Sequence, residues 1–376
     1  MDNSLFDPES ITVRMPSKTL ASTEARIAVI GVGGGGCNMI NHMIKEGTHK
    51  IDLIATNTDL QVLRESLAPK TLQLGPDLTR GLGAGMKPEV GRESAIESMQ
   101  EIKDLLEGID ILFIAAGLGG GTGTGAAAVI AQIAKECGAL TVSVVTKPFS
   151  WEGRKRAGLA QLGLDELKKV SDAIIVIPND RLLNIIDEST ALEDSFKIVD
   201  NILYQAVHGM SEVILKPGGG GINVDFADVR TIMQYKGMAI MGIGTAKGED
   251  SVKKALDNAV KSPLLDEISL SGAQGIMVHL TVSPSVSLLS INNTMSNLHD
   301  TIDGDAYVIF GTTPDATLEP DEVKITIVAT GFNDIATEIP KELNKSQNIE
   351  ISPLNDDKNY YDTPPSMRGY SVQYSL

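Results

Sequence analysis

Two cysteines, Cys37 and Cys137, are all that the 376-residue sequence contains. A disulfide framework is excluded, and the composition suits a reducing cytosol. Basic residues are also short, with Lys and Arg numbering 32 against 49 Asp and Glu, a formal net charge of −17. Binding to a nucleic-acid backbone rests on clustered Lys and Arg, so a DNA or RNA partner is not expected. No apolar run approaches the roughly 18 residues that span a bilayer, so no direct membrane insertion is expected. The N-terminus carries Asp2, Asp7 and Glu9 in place of a basic start and apolar core, which argues against a signal peptide. Together these absences lead to the expectation of a cytoplasmic protein. No internal repeat is present. At 42% hydrophobic residues the chain can fill the cores of two ordinary domains.

What the sequence does have is glycine in runs. Gly119-Gly120-Gly121-Thr122-Gly123-Thr124-Gly125 follows the apolar segment Ile109 to Ala116 and opens the Ala-rich segment Ala126 to Glu136. Strand, glycine loop and helix in that order make a phosphate seat, because the loop N–H groups and the helix start can converge on one anion. The threonines add hydroxyls. A flexible linker is the competing reading, but linkers do not sit inside an alternating strand and helix pattern. No Gly-Lys-Ser or Gly-Lys-Thr follows, so this is not a Walker loop. The phosphates would be held by backbone amides and a metal.

Residues 1–23 are polar and aperiodic and read as a disordered arm. Short apolar runs at Ile27 to Ile30, Leu53 to Thr56, Ile109 to Ala116, Leu140 to Thr146 and Ala173 to Ile177 alternate with helical stretches. That pattern predicts an α/β fold with a parallel sheet covered on both faces, and with ligands beyond the carboxyl ends of its strands. A long helix is predicted from about Glu193 to Leu215. A second glycine cluster, Gly218 to Gly221, follows, and from there to residue 331 the pattern reads as a smaller α+β domain. The domains are therefore 24–217 for the nucleotide-binding domain with its central helix, 218–331 for the smaller one, and a polar, disordered tail over 332–376.

Two further motifs keep alternatives open. Gly31-Val32-Gly33-Gly34-Gly35-Gly36 satisfies the dinucleotide pattern, and Asp59 lies near enough to bind a ribose, so an NAD-dependent oxidoreductase is one reading. Two glycine loops suit a chain of three phosphates better. Asn223-Val224-Asp225-Phe226-Ala227-Asp228-Val229-Arg230 holds two carboxylates three residues apart, able to orient a water and share a cation. The same pair can equally cap a helix.

Taken together, these motifs resemble the FtsZ family, bacterial homologues of tubulin. The likeness rests on Gly119 to Gly125 as the signature loop, Gly31 to Asn38 as the first glycine loop and Asn223 to Arg230 as the synergy loop. Phe149, Glu152, Gly153 and Arg156, the segment Ile177-Pro178-Asn179-Asp180, and Phe196 with Asp200 fall where the family places them. The resemblance covers about Arg26 to Gly331. It implies GTP and GDP as ligands, held by Gly34, Gly35, Gly36, Cys37 and Asn38 in one loop and by Gly120, Gly121, Thr122, Gly123, Thr124 and Gly125 in the other. Mg²⁺ would bridge the phosphates, with no protein residue assigned as its ligand. Asp200 would read guanine, Phe196 would stack on the base, Asn179 would complete its polar edge, and Glu152 and Arg156 would flank the ribose and phosphates. Asp225, Asp228 and Asn223 would carry catalysis.

If the base sits at the start of the long helix and Asp225 beyond its end, roughly 30 Å separates them. Hydrolysis would then need a neighbouring subunit, and the resemblance implies the same head-to-tail homopolymer. It further implies a place at the mid-cell division ring and adaptor proteins bound through a C-terminal peptide, of which Asp362 to Arg368 is a partial likeness. A filament former that binds GTP without hydrolysing it remains a third reading. His42 and Ala128 depart from residues common in the family.

Overall fold

The structure, a computed structural model, describes residues 25–332 apart from 49, 185–189, 216–221, 223, 236, 263–269, 271, 300, 301 and 303–305. The expected N-terminal arm, the Gly218 to Gly221 cluster, Asn223, and nearly all of the C-terminal tail with its peptide lie outside the described residues.

In the first half, six strands form in chain order: β1 (Ile27–Val32), β2 (Asp52–Asn57), β3 (Lys70–Gln73), β4 (Ile111–Gly117), β5 (Leu140–Lys147) and β6 (Ala173–Pro178). Between them run α1 (Gly33–Lys45), α2 (Leu60–Arg64), α3 (Pro76–Thr79), α4 (Pro88–Glu97), α5 (Met99–Leu106), α6 (Thr122–Glu136) and α7 (Arg154–Val170). The long helix α8 (Leu192–Leu215) leads to the second half. There α9 (Phe226–Met233), β7 (Met238–Lys247), α10 (Ser251–Val260), β8 (Gly275–Val282), α11 (Leu288–His299), β9 (Tyr307–Pro314) and β10 (Glu322–Phe332) follow.

Among the described residues, the ten strands belong to one hydrogen-bonded sheet in the order β3-β2-β1-β4-β5-β6-β7-β10-β8-β9. The first six pair in parallel. β10 runs antiparallel to both β7 and β8. The halves join through a short parallel pairing in which Ile174 and Ile175 of β6 meet Met238 and Ala239 of β7.

Side-chain alternation along the strands builds two layers. Ile27, Val29, Phe113, Val142 and Ile175 point to one face, where Met39, Ile40 and Met43 of α1 and Val199, Leu203, Val207 and Met210 of α8 cover them. Ala28, Ile30, Leu112, Ile114 and Ile174 point to the other, against Ile102 of α5, Ala127, Ile130 and Ala131 of α6 and Leu164 and Leu167 of α7. With both faces buried, strands β1 and β4 are apolar almost throughout, which is what made them legible.

The first glycine run forms no separate loop over Gly31 to Gly36. The strand continues through Val32 and the helix begins at once with Gly33, whose φ of 73° completes the reversal in one residue. Only glycine takes that backbone without strain. A side chain on Gly36 would strike the Ala115 carbonyl of β4 at 2.4 Å, so α1 lies directly on the strands.

Candidate nucleotide site

β1 and β4 are neighbours in the sheet, so the two glycine runs leave from adjacent carboxyl ends. They touch: a side chain on Gly33 would meet the Gly123 nitrogen at 2.9 Å, and one on Gly123 would meet the Gly117 carbonyl at 2.5 Å. Above this contact opens a cavity of about 470 Å³. Gly34, Gly35 and Asn38 of α1 form one wall, and Gly120, Gly121, Thr122 and Gly123 form the floor, with Glu152, Arg156, Asn179, Phe196 and Asp200 around the rim. Gly34 and Gly120 have nothing within 4 Å of a would-be Cβ, so their backbones face open space. The α6 N-terminus therefore presents N–H groups and its positive dipole end to the cavity, a seat for an anion.

The threonines act inside the loop. The Thr124 hydroxyl accepts the Gly119 N–H at 2.9 Å, and Thr122 shares a 2.7 Å hydrogen bond with Thr58. Thr124, Gly125, Gly36 and Cys37 stand behind the wall and do not line the cavity. Cys37 is buried, its thiol reaches the Thr56 carbonyl at 3.7 Å, and burial pushes its pKa up to about 11, so it stays a neutral packing group.

The rim is polar and pre-arranged. Glu152 accepts the Phe149 N–H at 2.9 Å with one oxygen and pairs with Arg156 at 2.6 Å with the other, leaving the guanidinium half-exposed at the cavity edge. Asp180 accepts from both the backbone N–H and the hydroxyl of Ser150, tying the end of β6 to the segment after β5. Beside it, Asn179 is 6% exposed and its Oδ1 has no hydrogen-bond partner. A buried acceptor without a donor is costly unless a ligand supplies one. Two turns into α8, Asp200 is buried enough that desolvation raises its carboxyl to about 6. Phe196, 42% exposed, meets Phe149 edge-on with centroids 6.0 Å apart and keeps an open ring face. An unpartnered buried acceptor and a desolvated carboxyl beside an aromatic face suit a flat base with N–H donors along one edge.

Asp225 and Asp228 are not among the residues lining the cavity. They form a capping box at the start of α9, where Asp225 accepts the Asp228 N–H at 2.9 Å. The helix begins at Phe226, so the pair does cap a helix, with Asp225 exposed and Asp228 half-buried. Asp59 caps α2 by accepting the Gln61 N–H at 2.9 Å and does not line the cavity, which removes the ribose ligand on which the oxidoreductase reading depends. His42 packs edge-on against Tyr204 with its Nε2 buried and unpartnered.

Sequence reading did not single out Gly117, Leu118, Thr146, Pro148, Val199 and Leu203, which complete the cavity lining. Most belong to a strand end or helix face already predicted, but no residue pattern marks such lining.

Comparison with known proteins fits this geometry. Residues 26–187 match the GTPase domain of the tubulin/FtsZ family, and residues 237–333 match the C-terminal domain of the FtsZ family. Among solved structures, an FtsZ dimer from M. jannaschii is 43% identical with a TM-score of 0.76, covering 83% of this chain and 90% of its own. CetZ2 from Haloferax volcanii, solved as a GTPγS-bound protofilament, is 20% identical with a TM-score of 0.69, covering 82% and 93%. CetZ1 of the same organism, a GDP-bound monomer, is 19% identical with a TM-score of 0.70 over 83% and 96%. The last two share the fold. With both family domains matched in order over most of its length, and a nucleotide-sized cavity where the two glycine runs meet, the chain belongs to the FtsZ family of tubulin-like GTPases.

Proposed function

We propose that this protein is a self-assembling GTPase that stacks head to tail and hydrolyses GTP where one subunit's cavity meets the next subunit's acidic helix. One observation carries the reading: the helix that starts at the cavity floor meets, at its far end, the helix that carries the acid pair. α6 starts at the cavity floor, and its far end touches α9 through a hydrogen bond from Arg230 to the Gly138 carbonyl. At about 1.5 Å per residue its 15 residues span about 22 Å. α8 carries Asp200 near its start, and from there to Leu215 it advances roughly 22 Å as well. A carboxylate cannot cross that gap, so each chain holds two halves of different sites. A contact between unlike ends that does not close on itself makes a filament.

Within the cavity, the amides of Gly120, Gly121 and Gly123 and the α6 dipole would hold the phosphates, Arg156 would balance their charge, and Asn179 with Asp200 would accept from the guanine N–H groups. From the next subunit, Asp225 and Asp228 would orient the attacking water, and Asn223 is the third member of the same sequence motif. Mg²⁺ fits the hard oxygen donors offered by phosphates and these carboxylates, and would neutralise charge as the terminal phosphate leaves. The division ring is the setting this assembly suits, with adaptors bound through residues 362–368.

The test is complementation. Asp225→Ala should bind GTP yet release phosphate at least a hundredfold more slowly. Mixing it with Asn179→Ala/Asp200→Ala, which keeps its acid pair but lacks the base contacts, should restore hydrolysis at hybrid contacts. Wild-type phosphate release should show a threshold in protein concentration. A rate strictly proportional to concentration, or a mixture that stays silent, would place a complete site within one chain.

A further inference from the structure

Arg230 ends the acidic motif, and nothing in the proposed chemistry uses it. Its Nη2 donates to the Gly138 carbonyl at 3.0 Å, across 92 residues of sequence. Its guanidinium carbon lies 5.7 Å from the Phe226 ring centroid, a stacking distance on its own helix. Its Nε is buried without a partner. The guanidinium is thus wedged between an aromatic face of α9 and the C-terminal end of α6.

That end of α6 is sealed by its own turn. Gly138, at φ 87°, donates to the Lys135 carbonyl, and Ala139 donates to Ala134. The Gly138 carbonyl projects beyond this turn, at the negative pole of the helix whose positive pole floors the cavity. A cation is favoured there, and a flat guanidinium can stack and donate at once where an ammonium cannot. At the other end of α9, the capping box fixes Asp225 and Asp228 to the helix start.

We infer that Arg230 is a positioning residue for hydrolysis, a clamp that sets the acid pair at a fixed distance from the chain's own phosphate seat. This rests on the head-to-tail reading above. α6 acts as a spacer of about 22 Å, and Arg230 joins it to the acidic helix. In a stack of identical subunits, the placement of each acid pair relative to its own α6 determines where it meets the nucleotide of its neighbour. Releasing the clamp leaves the cavity intact and lets α9 shift by tenths of an ångström, enough to slow a reaction that depends on an aligned water.

The experiment compares wild type, Arg230→Ala, Arg230→Lys and Asp225→Ala for GDP affinity, critical concentration, and GTP turnover per polymerised subunit. Arg230→Ala should keep GDP affinity and critical concentration within about twofold and lose at least tenfold in turnover, with Arg230→Lys between it and wild type. Adding Asn179→Ala/Asp200→Ala subunits, whose clamp and acid pair are intact, should restore turnover of GTP held in Arg230→Ala cavities. Full turnover by pure Arg230→Ala, or no restoration in the mixture, overturns the inference. If Arg230→Ala does not fold, Arg230→Lys carries the same two comparisons, since it keeps the charge and loses the flat face. Asp225→Ala separates the two readings. If it turns over normally, the shared-site reading itself fails, whereas a silent Asp225→Ala beside a fully active Arg230→Ala removes only the clamp.

Discussion

At the scale of single residues, Asp200 carries the sharpest pH signature. Burial raises its carboxyl from 3.8 to about 6 in the free protein. The folded state then holds this proton more tightly than the unfolded chain does. The nucleotide-free protein therefore loses stability from this group as pH rises from about 4 to 6, and the cost stays in place above that. Guanine N–H donors would favour the ionised form, so binding should release a proton near pH 6. GDP affinity should fall about tenfold between pH 7 and pH 5 in wild type, beyond whatever the terminal phosphate contributes. Asp200→Asn should bind more weakly at pH 7, by tenfold or more, and show only the phosphate-derived slope. Fluorescence titrations of both proteins at matched pH check this, because the ratio of their affinities cancels the ligand's own titration. A ratio that does not change with pH would mean that the carboxylate need not be charged to bind. Asp200 was legible as a candidate only through the family's pattern; its burial comes from the packing of α8 on the sheet, which no local sequence states.

At the scale of elements, the glycines of the two loops divide by what lies opposite their missing side chains. Gly123 sits where a methyl group would strike the Gly117 carbonyl at 2.5 Å, while Gly120 opens onto the cavity with nothing within 4 Å. Gly123→Ala should therefore lower the melting temperature by several degrees, as overpacking of about 1–3 kcal/mol implies. Gly120→Ala should melt within about a degree of wild type and yet weaken GDP binding at least tenfold, because its methyl group enters the phosphate seat. Thermal scans with and without GDP distinguish the two. Equal melting losses would mean that the loop functions as one rigid packing unit. The sequence shows a glycine run as a phosphate loop but gives no sign of this division, which depends on how the loop folds back over the end of β4. Fully buried strands such as β4 stand out as continuous apolar runs. β3, with only Lys70-Thr71-Leu72-Gln73 at a half-exposed edge, carries no such run and passes unread. Likewise β10 opens with alternating half-buried and buried positions, so no continuous apolar run marks its start.

At the scale of the whole molecule, two readings that looked separate in the sequence become one structure. The change of pattern after α8 suggested a second domain, and the chain does change there from parallel to largely antiparallel pairing, yet two residue pairs between β6 and β7 continue a single sheet across the change. Strand pairing over some 60 residues leaves no local trace, whereas helix length does. The net charge of −17 bears on assembly in the same way. In the proposed stack, Asp225 and Asp228 of one subunit approach the triphosphate on the next, so the facing ends are alike in sign and the subunits repel as wholes. Salt should then strengthen association, the reverse of its effect on a contact held by opposite charges. Raising monovalent salt from about 0.02 to 0.2 M, over which the Debye length falls from roughly 20 to 7 Å, should lower the critical concentration severalfold. Mg²⁺ at equal ionic strength should lower it further, because a divalent ion can sit between the phosphates and the carboxylates instead of only screening them. Sedimentation of polymer across both titrations reads the two effects. A critical concentration that climbs with salt would show that opposite charges dominate the contact, and equal effects of Mg²⁺ and monovalent salt would show that no cation bridges the joint.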